Sequence, residues 1–199
     1  MSLAASSVRP GAVLADLLPA SSEARARVRD AVLVVSGAVL TGLAAQIAVP
    51  VPGSPVPVTG QTFAALLVGT ALGAGRGLLS LVLYTLVGMA GMPWFAEGGS
   101  GVSAPSFGYV LGMLLAATLA GALARRGGDR SAVRTAATMV LGSAVIYAVG
   151  VPYLALATGM SASEAIAAGL TPFLLGDALK AALAMGLLPS AWKLAGPKG

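Results

Sequence analysis

Residues 62–91 read TFAALLVGTALGAGRGLLSLVLYTLVGMAG, an apolar run interrupted midway by Gly75-Arg76-Gly77. It is either one long membrane span with a buried arginine or two short spans joined by a tight hairpin. The other apolar segments, Ala31–Val49, Phe107–Leu123, Ala132–Ala157 and Leu170–Trp192, approach or exceed the roughly 20 residues that cross a hydrocarbon core. Charge separates the two readings. With Thr62–Ala74 and Gly77–Gly91 as separate spans and the amino terminus inside, the cytoplasmic segments hold Arg9, Arg25, Arg27, Arg29, Arg76, Arg125, Arg126, Arg130, Arg134, Lys193 and Lys198. The external loops then carry Glu97 and Glu164, and the remaining cation, Lys180, lies within a span. A merged span buries Arg76 in lipid and throws Arg125–Arg134 outside, against the positive-inside bias and at the cost of a charge in hydrocarbon. The sequence therefore predicts an all-α polytopic membrane protein with six transmembrane helices and both termini cytoplasmic.

Composition agrees with a lipid environment. The 199 residues are 57% hydrophobic and 10% charged, against about 25% charged in soluble domains, and mean hydropathy is +0.89. The net charge of +5 would suggest nucleic acid for a soluble chain, but cations at the ends of apolar runs are explained by topology, and no nucleic acid partner is expected. Ala12–Leu18 is interrupted by Asp16 and followed by its arginines, unlike a cleaved signal. Residues 1–28 thus read as a cytoplasmic tail, 29–195 as one six-helix substrate-binding domain and 196–199 as a second tail. Without cysteine or histidine, no metal site, Cys–His site or Ser-His-Asp hydrolase can form. No phosphate-loop lysine motif is present, so any ATP hydrolysis belongs to another chain. A Ser–Lys hydrolase around Lys180 is the one enzyme reading left, and an enzyme is not expected; nor is a cofactor.

Asp177 and Lys180 are the sharpest signal. Three residues apart, they share a helix face, and counted from Leu170 at 1.5 Å per residue they sit ~10 and ~15 Å deep. Ionisable groups at that depth default to function; a self-satisfied ion pair that locks helix packing is the alternative. A ligand with one anionic end and one N–H-donating end would use both groups.

The aromatics Trp94, Phe95, Phe107, Tyr109, Tyr153 and Phe173 gather near the external ends, while Trp192 stands at the cytoplasmic end. They fit an outward-opening apolar pocket or one half of an interfacial belt. Thr59-Gly60-Gln61-Thr62 offers hydrogen-bonding groups or simply caps a helix. The loop Pro50–Gly60 is proline-rich and extended. The loop Gly91–Ser106 carries Pro93-Trp94-Phe95 and Gly98-Gly99-Ser100-Gly101, and Thr158–Gly169 reads as an ordinary polar loop. Gly37, Ala38, Thr41, Gly42 and Ala45 give small-xxx-small spacings on the first span, suited to a partner protein or to packing within the chain.

Taken in order, several of these pieces resemble the BioY family, the biotin-specific S component of energy-coupling-factor (ECF) transporters. They are PVPVTGQTF at 55–63, Gly69 through Gly77, YTLVG at 84–88, GMPWF at 91–95, Gly98-Gly99-Ser100-Gly101, PSFGY at 105–109 and DALK at 177–180. The resemblance runs from about Arg29 to Leu194. It implies a multi-pass protein of the bacterial cytoplasmic membrane that binds biotin in its outward half, with the loops after helices one and three as lids. It implies partnership with a transmembrane coupling protein, contacted by Ala38, Gly42 and Ala45, and with two ATPase subunits. In this reading Asp177 accepts the ureido N–H bonds and Lys180 meets the valerate carboxylate, or the reverse. Thr59, Gln61 and Tyr109 add polar contacts, and Trp94, Phe95 and Phe107 cover the ring and chain. Glu97 would repel an anionic ligand unless it faces water. The competing readings are an S component for another vitamin and a membrane assembly protein that transports nothing.

Overall fold

The computed structural model describes residues 10–195; the expected tail 196–199 and the flanking cations Arg9 and Lys198 lie outside the described residues. The described residues are all-α apart from one small hairpin. The elements run α1 (Glu23–Ala45), β1 (Ala48–Val49), β2 (Val58–Thr59), α2 (Gln61–Leu72), α3 (Ala74–Met89), α4 (Phe107–Arg125), α5 (Ala132–Thr158), α6 (Ala162–Gly169) and α7 (Leu174–Ala195), with single 3₁₀ turns at Leu14–Leu17, Ala96–Gly98 and Thr171–Phe173.

Local chemistry sets the boundaries. The Ser22 hydroxyl accepts the Arg25 N–H at 3.3 Å and opens α1; Ser131 does the same for α5. The α2–α3 break falls at Gly73, with φ +83°, two residues before the expected hairpin at Gly75-Arg76-Gly77. Only a residue without Cβ adopts that angle cheaply, so Gly73 turns the chain and Arg76 joins the first turns of α3. The expected loop 158–169 instead contains α6, held by a reciprocal cap in which Ser161 and Glu164 bond each other's backbone N–H. The last long helix starts at Leu174 rather than Leu170, because Pro172 sits in the preceding 3₁₀ turn. Asp177 therefore lies in the first turn of α7, where the helix dipole favours a carboxylate.

Helix α4 is the central post, packed against α2, α3 and α5. Its inward residues are small: Gly112, Ala116, Ala117, Ala120, Gly121 and Ala124 are all buried. Backbones consequently meet closely; a Cβ on Gly121 would lie 2.3 Å from the Ala74 nitrogen. The outer surface is apolar, with Leu43, Leu156, Leu175 and Leu179 all well exposed, as expected of helices solvated by lipid. Among the described residues, four helical stretches are long and apolar enough to cross a membrane: Glu23–Ala45, Phe107–Arg125, Ala132–Thr158 and Ala162–Ala195. Helices α2 and α3 are apolar but shorter.

One end of the bundle is tied by arginines. Asp16 bridges Arg76 and Arg125, Arg125 Nη1 donates to the Gly11 carbonyl at 3.1 Å and Arg130 Nη2 to that of Ala12 at 2.9 Å. Val13 is fully buried between them. The described part of the expected amino-terminal tail is thus docked from Gly11 and helical from Glu23. At the same end the Arg130 guanidinium stacks 3.4 Å from the Trp192 ring centroid, and Trp192 Nε1 donates to Asp129 Oδ2 at 2.6 Å.

The small stripe of α1 faces inward. Ala38, Gly42 and Ala45 are buried; a Cβ on Gly42 would meet the Trp94 ring at 2.8 Å, and one on Gly37 would strike Ser80. Within this chain these small residues let α1 pack closely on α3 and on the loop that carries Trp94.

Candidate functional site

At the end opposite the arginines, β1 and β2 pair antiparallel with Ala48 against Thr59 and Val49 against Val58. The intervening loop, short of backbone donors because of its prolines, folds Val56 inward until it is 5% exposed. Beneath it is a small cavity lined by Val56, Pro57, Thr59, Gln61, Thr62, Ala96, Ser106, Tyr109, Met113, Tyr147, Phe173, Asp177 and Lys180. Seven residues singled out in the sequence, Thr59, Gln61, Thr62, Tyr109, Phe173, Asp177 and Lys180, therefore converge on one space.

Lys180 Nζ donates to Asp177 Oδ1 at 3.1 Å and to Thr62 Oγ1 at 2.8 Å. Asp177 Oδ2 accepts from the Tyr147 hydroxyl. The pair is shielded, with side chains 15% and 18% exposed. Gln61, anchored at the start of α2, donates from Nε2 to the Tyr84 hydroxyl at 2.8 Å, and its backbone N–H bonds Thr59 Oγ1 at 3.3 Å. The Tyr109 hydroxyl donates to the Gly169 carbonyl at 2.7 Å, tying α4 to the end of α6, and its ring stacks on Phe173. The site thus combines a fixed carboxylate with spare acceptor lone pairs, an ammonium with a third N–H to donate, and apolar walls. That is the usual make-up of a small-molecule pocket.

Trp94, Phe95 and Phe107 do not line the cavity. They build the wall behind it, with Tyr84 centred 5.1 Å from Trp94 and 5.2 Å from Phe95 and Phe95 6.2 Å from Phe107. Their sequence neighbours Ala96 and Ser106 reach the cavity instead. Glu97 is exposed and stands outside it. Sequence reasoning named Thr62 only as part of the 59–62 motif and missed Met113, Tyr147 and Gln46. The last donates from Nε2 to the Trp94 and Phe95 carbonyls at 3.0 and 3.2 Å, fastening the 91–106 loop to α1. Tyr147 had a readable signal: a phenol in mid-span must find a hydrogen-bond partner.

Comparison with known proteins gives a consistent picture. The BioY family model matches residues 19–197. A probable biotin transporter BioY from Pyrococcus horikoshii is 34% identical over 162 residues, covering 80% of this chain and 93% of the relative. The biotin transporter BioY of Thermotoga maritima is 35% identical over 139 residues, covering 68% and 80%. Among solved structures, the 2.1 Å crystal structure of the S-component for biotin from an ECF-type ABC transporter superposes with a TM-score of 0.78 over 89% of this chain and 97% of that one, at 20% identity; it shares the fold. These matches span nearly the whole helical bundle, cavity included, and by them the chain belongs to the BioY family.

Proposed function

We propose that this chain is the biotin-binding transmembrane subunit of a bacterial uptake system, energised by two partner ATPases through a membrane coupling protein. The observation that carries this reading is the Asp177–Lys180 pair facing a lidded cavity with Thr59, Gln61 and Tyr109, in a chain of the BioY family. Relatives named as biotin transporters support the ligand, and the name of the structural neighbour supports the ECF partners. The arginine-bearing end faces the cytoplasm and the hairpin end faces outward, as the charge bias requires. Helices α2 and α3 serve as two short spans, giving six in all, in the cytoplasmic membrane.

Biotin's ureido group donates N–H bonds to Asp177, and its carboxylate pairs with Lys180, whose long side chain swings off Asp177 because the valerate chain holds biotin's two ends well apart. The cavity is about 40 Å³, room for no more than a few waters. Admission of biotin therefore displaces the 50–57 loop, lifting Val56, together with the loop bearing Ala96 and Ser106. Trp94, Phe95 and Phe107 are the scaffold on which that second lid is mounted.

Isothermal titration of the purified full chain tests this. Biotin should bind, and thiamine and riboflavin should not; the opposite result overturns the assignment. Asp177→Asn and Lys180→Met should each raise the dissociation constant by about 30-fold or more, since each leaves a desolvated partner unpaired. Unchanged affinity in both would reduce the pair to a packing element.

A further inference from the structure

Tyr147 stands where two spaces meet. With Asp177 it lines the polar cavity, and both residues also line a larger, open groove of about 630 Å³ between α5 and α7. Apart from Ser143, the rest of that groove is apolar, with small residues Ala144, Ala148, Ala178 and Ala181 among its lining. The two helices thus leave their seam unfilled, and the Tyr147 hydroxyl bond to Asp177 Oδ2 crosses it. The opposite oxygen is held by Lys180 at 3.1 Å. A carboxylate tethered through one oxygen turns freely about its terminal torsion, which is broad and two-fold; here turning would carry it toward the apolar groove and away from the cavity. The phenol is itself held in place, its ring edge-on to Tyr109 at 88° with centroids 6.4 Å apart.

We propose that Tyr147 is a positioning residue for ligand binding: its hydroxyl fixes Asp177 so that the carboxylate's unused lone pairs point into the cavity, toward the N–H donors of a cyclic urea. Each carboxylate oxygen accepts about two hydrogen bonds, so the bonds from Tyr147 and Lys180 leave acceptors free. This inference rests on the reading in which Asp177 binds the ligand's N–H groups, and adds a residue that sequence and family likeness did not single out.

The test is a double-mutant cycle on the purified full chain, read by equilibrium binding of labelled biotin. Tyr147→Phe keeps the ring and removes the hydroxyl. It should weaken binding about 10-fold in the native background, the scale of one hydrogen bond to a charged group, and less than about 2-fold in an Asp177→Asn background, because interacting residues are non-additive. Where the Asn background binds too weakly to measure, the same cycle is run on the ligand side with biotin methylated on both ureido nitrogens, against which the Tyr147→Phe penalty should shrink likewise. An equal penalty in both arms, or none in the native background, overturns the positioning role. If Asp177→Asn alone leaves affinity untouched, the binding-site reading itself fails and takes this inference with it. A normal Tyr147→Phe penalty that vanishes in the partner arm supports both.

Discussion

Two carboxylates at the arginine-bearing end make opposite demands on pH. Asp129 is completely buried; burial pushes its carboxyl above the ordinary range, and the Trp192 hydrogen bond and the Arg130 charge only partly offset this. Its folded form holds a proton more tightly than the unfolded chain does. Its contribution is therefore fullest below the ordinary aspartate range and declines as pH rises through the raised folded-state value. Asp16 is the reverse: partial burial would raise it, but the Val13 N–H bond and the Arg76 and Arg125 guanidinium groups outweigh that and hold it low. Its contribution is present above the ordinary range and lost as pH falls through the lowered value. Thermal unfolding in detergent across pH should show Asp129→Asn gaining on the native chain as pH rises, and Asp16→Asn losing at neutral pH but converging with it in acid. At this scale the sequence spoke clearly only where chemistry was out of place. Asp177 and Lys180 stood out because charge is rare in an apolar run, whereas Gln46 looks like an ordinary helix residue until its partners, far away in sequence, are known.

Elements were legible where a punctuating residue was read with the right weight. The hairpin in 62–91 was visible from Arg76, but its exact turn depends on which glycine takes φ +83°, and four glycines lie within reach. Gly73→Ala should cost about 1 kcal/mol or more, since Cβ is strained at that angle. Helix α6 was missed although Ser161 and Glu164 spell its cap; eight residues after a long span looked like connection. Ser161→Ala should lower stability by about 1 kcal/mol, seen as a lower unfolding midpoint, and leave biotin affinity within about twofold because the cap touches no cavity residue. The two-stranded hairpin was anticipated only as extended chain, because pairing register needs the partner strand in space.

For the whole molecule, patterning gave the all-α bundle, while the inward face of α1 was undecidable from spacing alone: small residues suit a neighbour in the same chain or another. The proposed orientation is directly checkable, because the native chain has no cysteine. Ser163→Cys should react with a membrane-impermeant maleimide on intact cells, and Ala132→Cys should react only after permeabilisation; reversed labelling would invert the topology. Deletion of residues 1–18 should lower the unfolding midpoint, through loss of the buried Val13 and the Asp16 bridges, with biotin affinity held within about twofold because the cavity lies at the far end of α2.

The seat of Val13 also says something about biosynthesis. Gly11 and Ala12 are translated well before the arginines that receive their carbonyls, which come 114 and 118 residues later. The 3₁₀ turn beside them also packs on α7, which is made later still. The stretch must therefore wait, undocked, until those arginines and α7 have been made, so its closure reports that the spans between have been inserted and assembled.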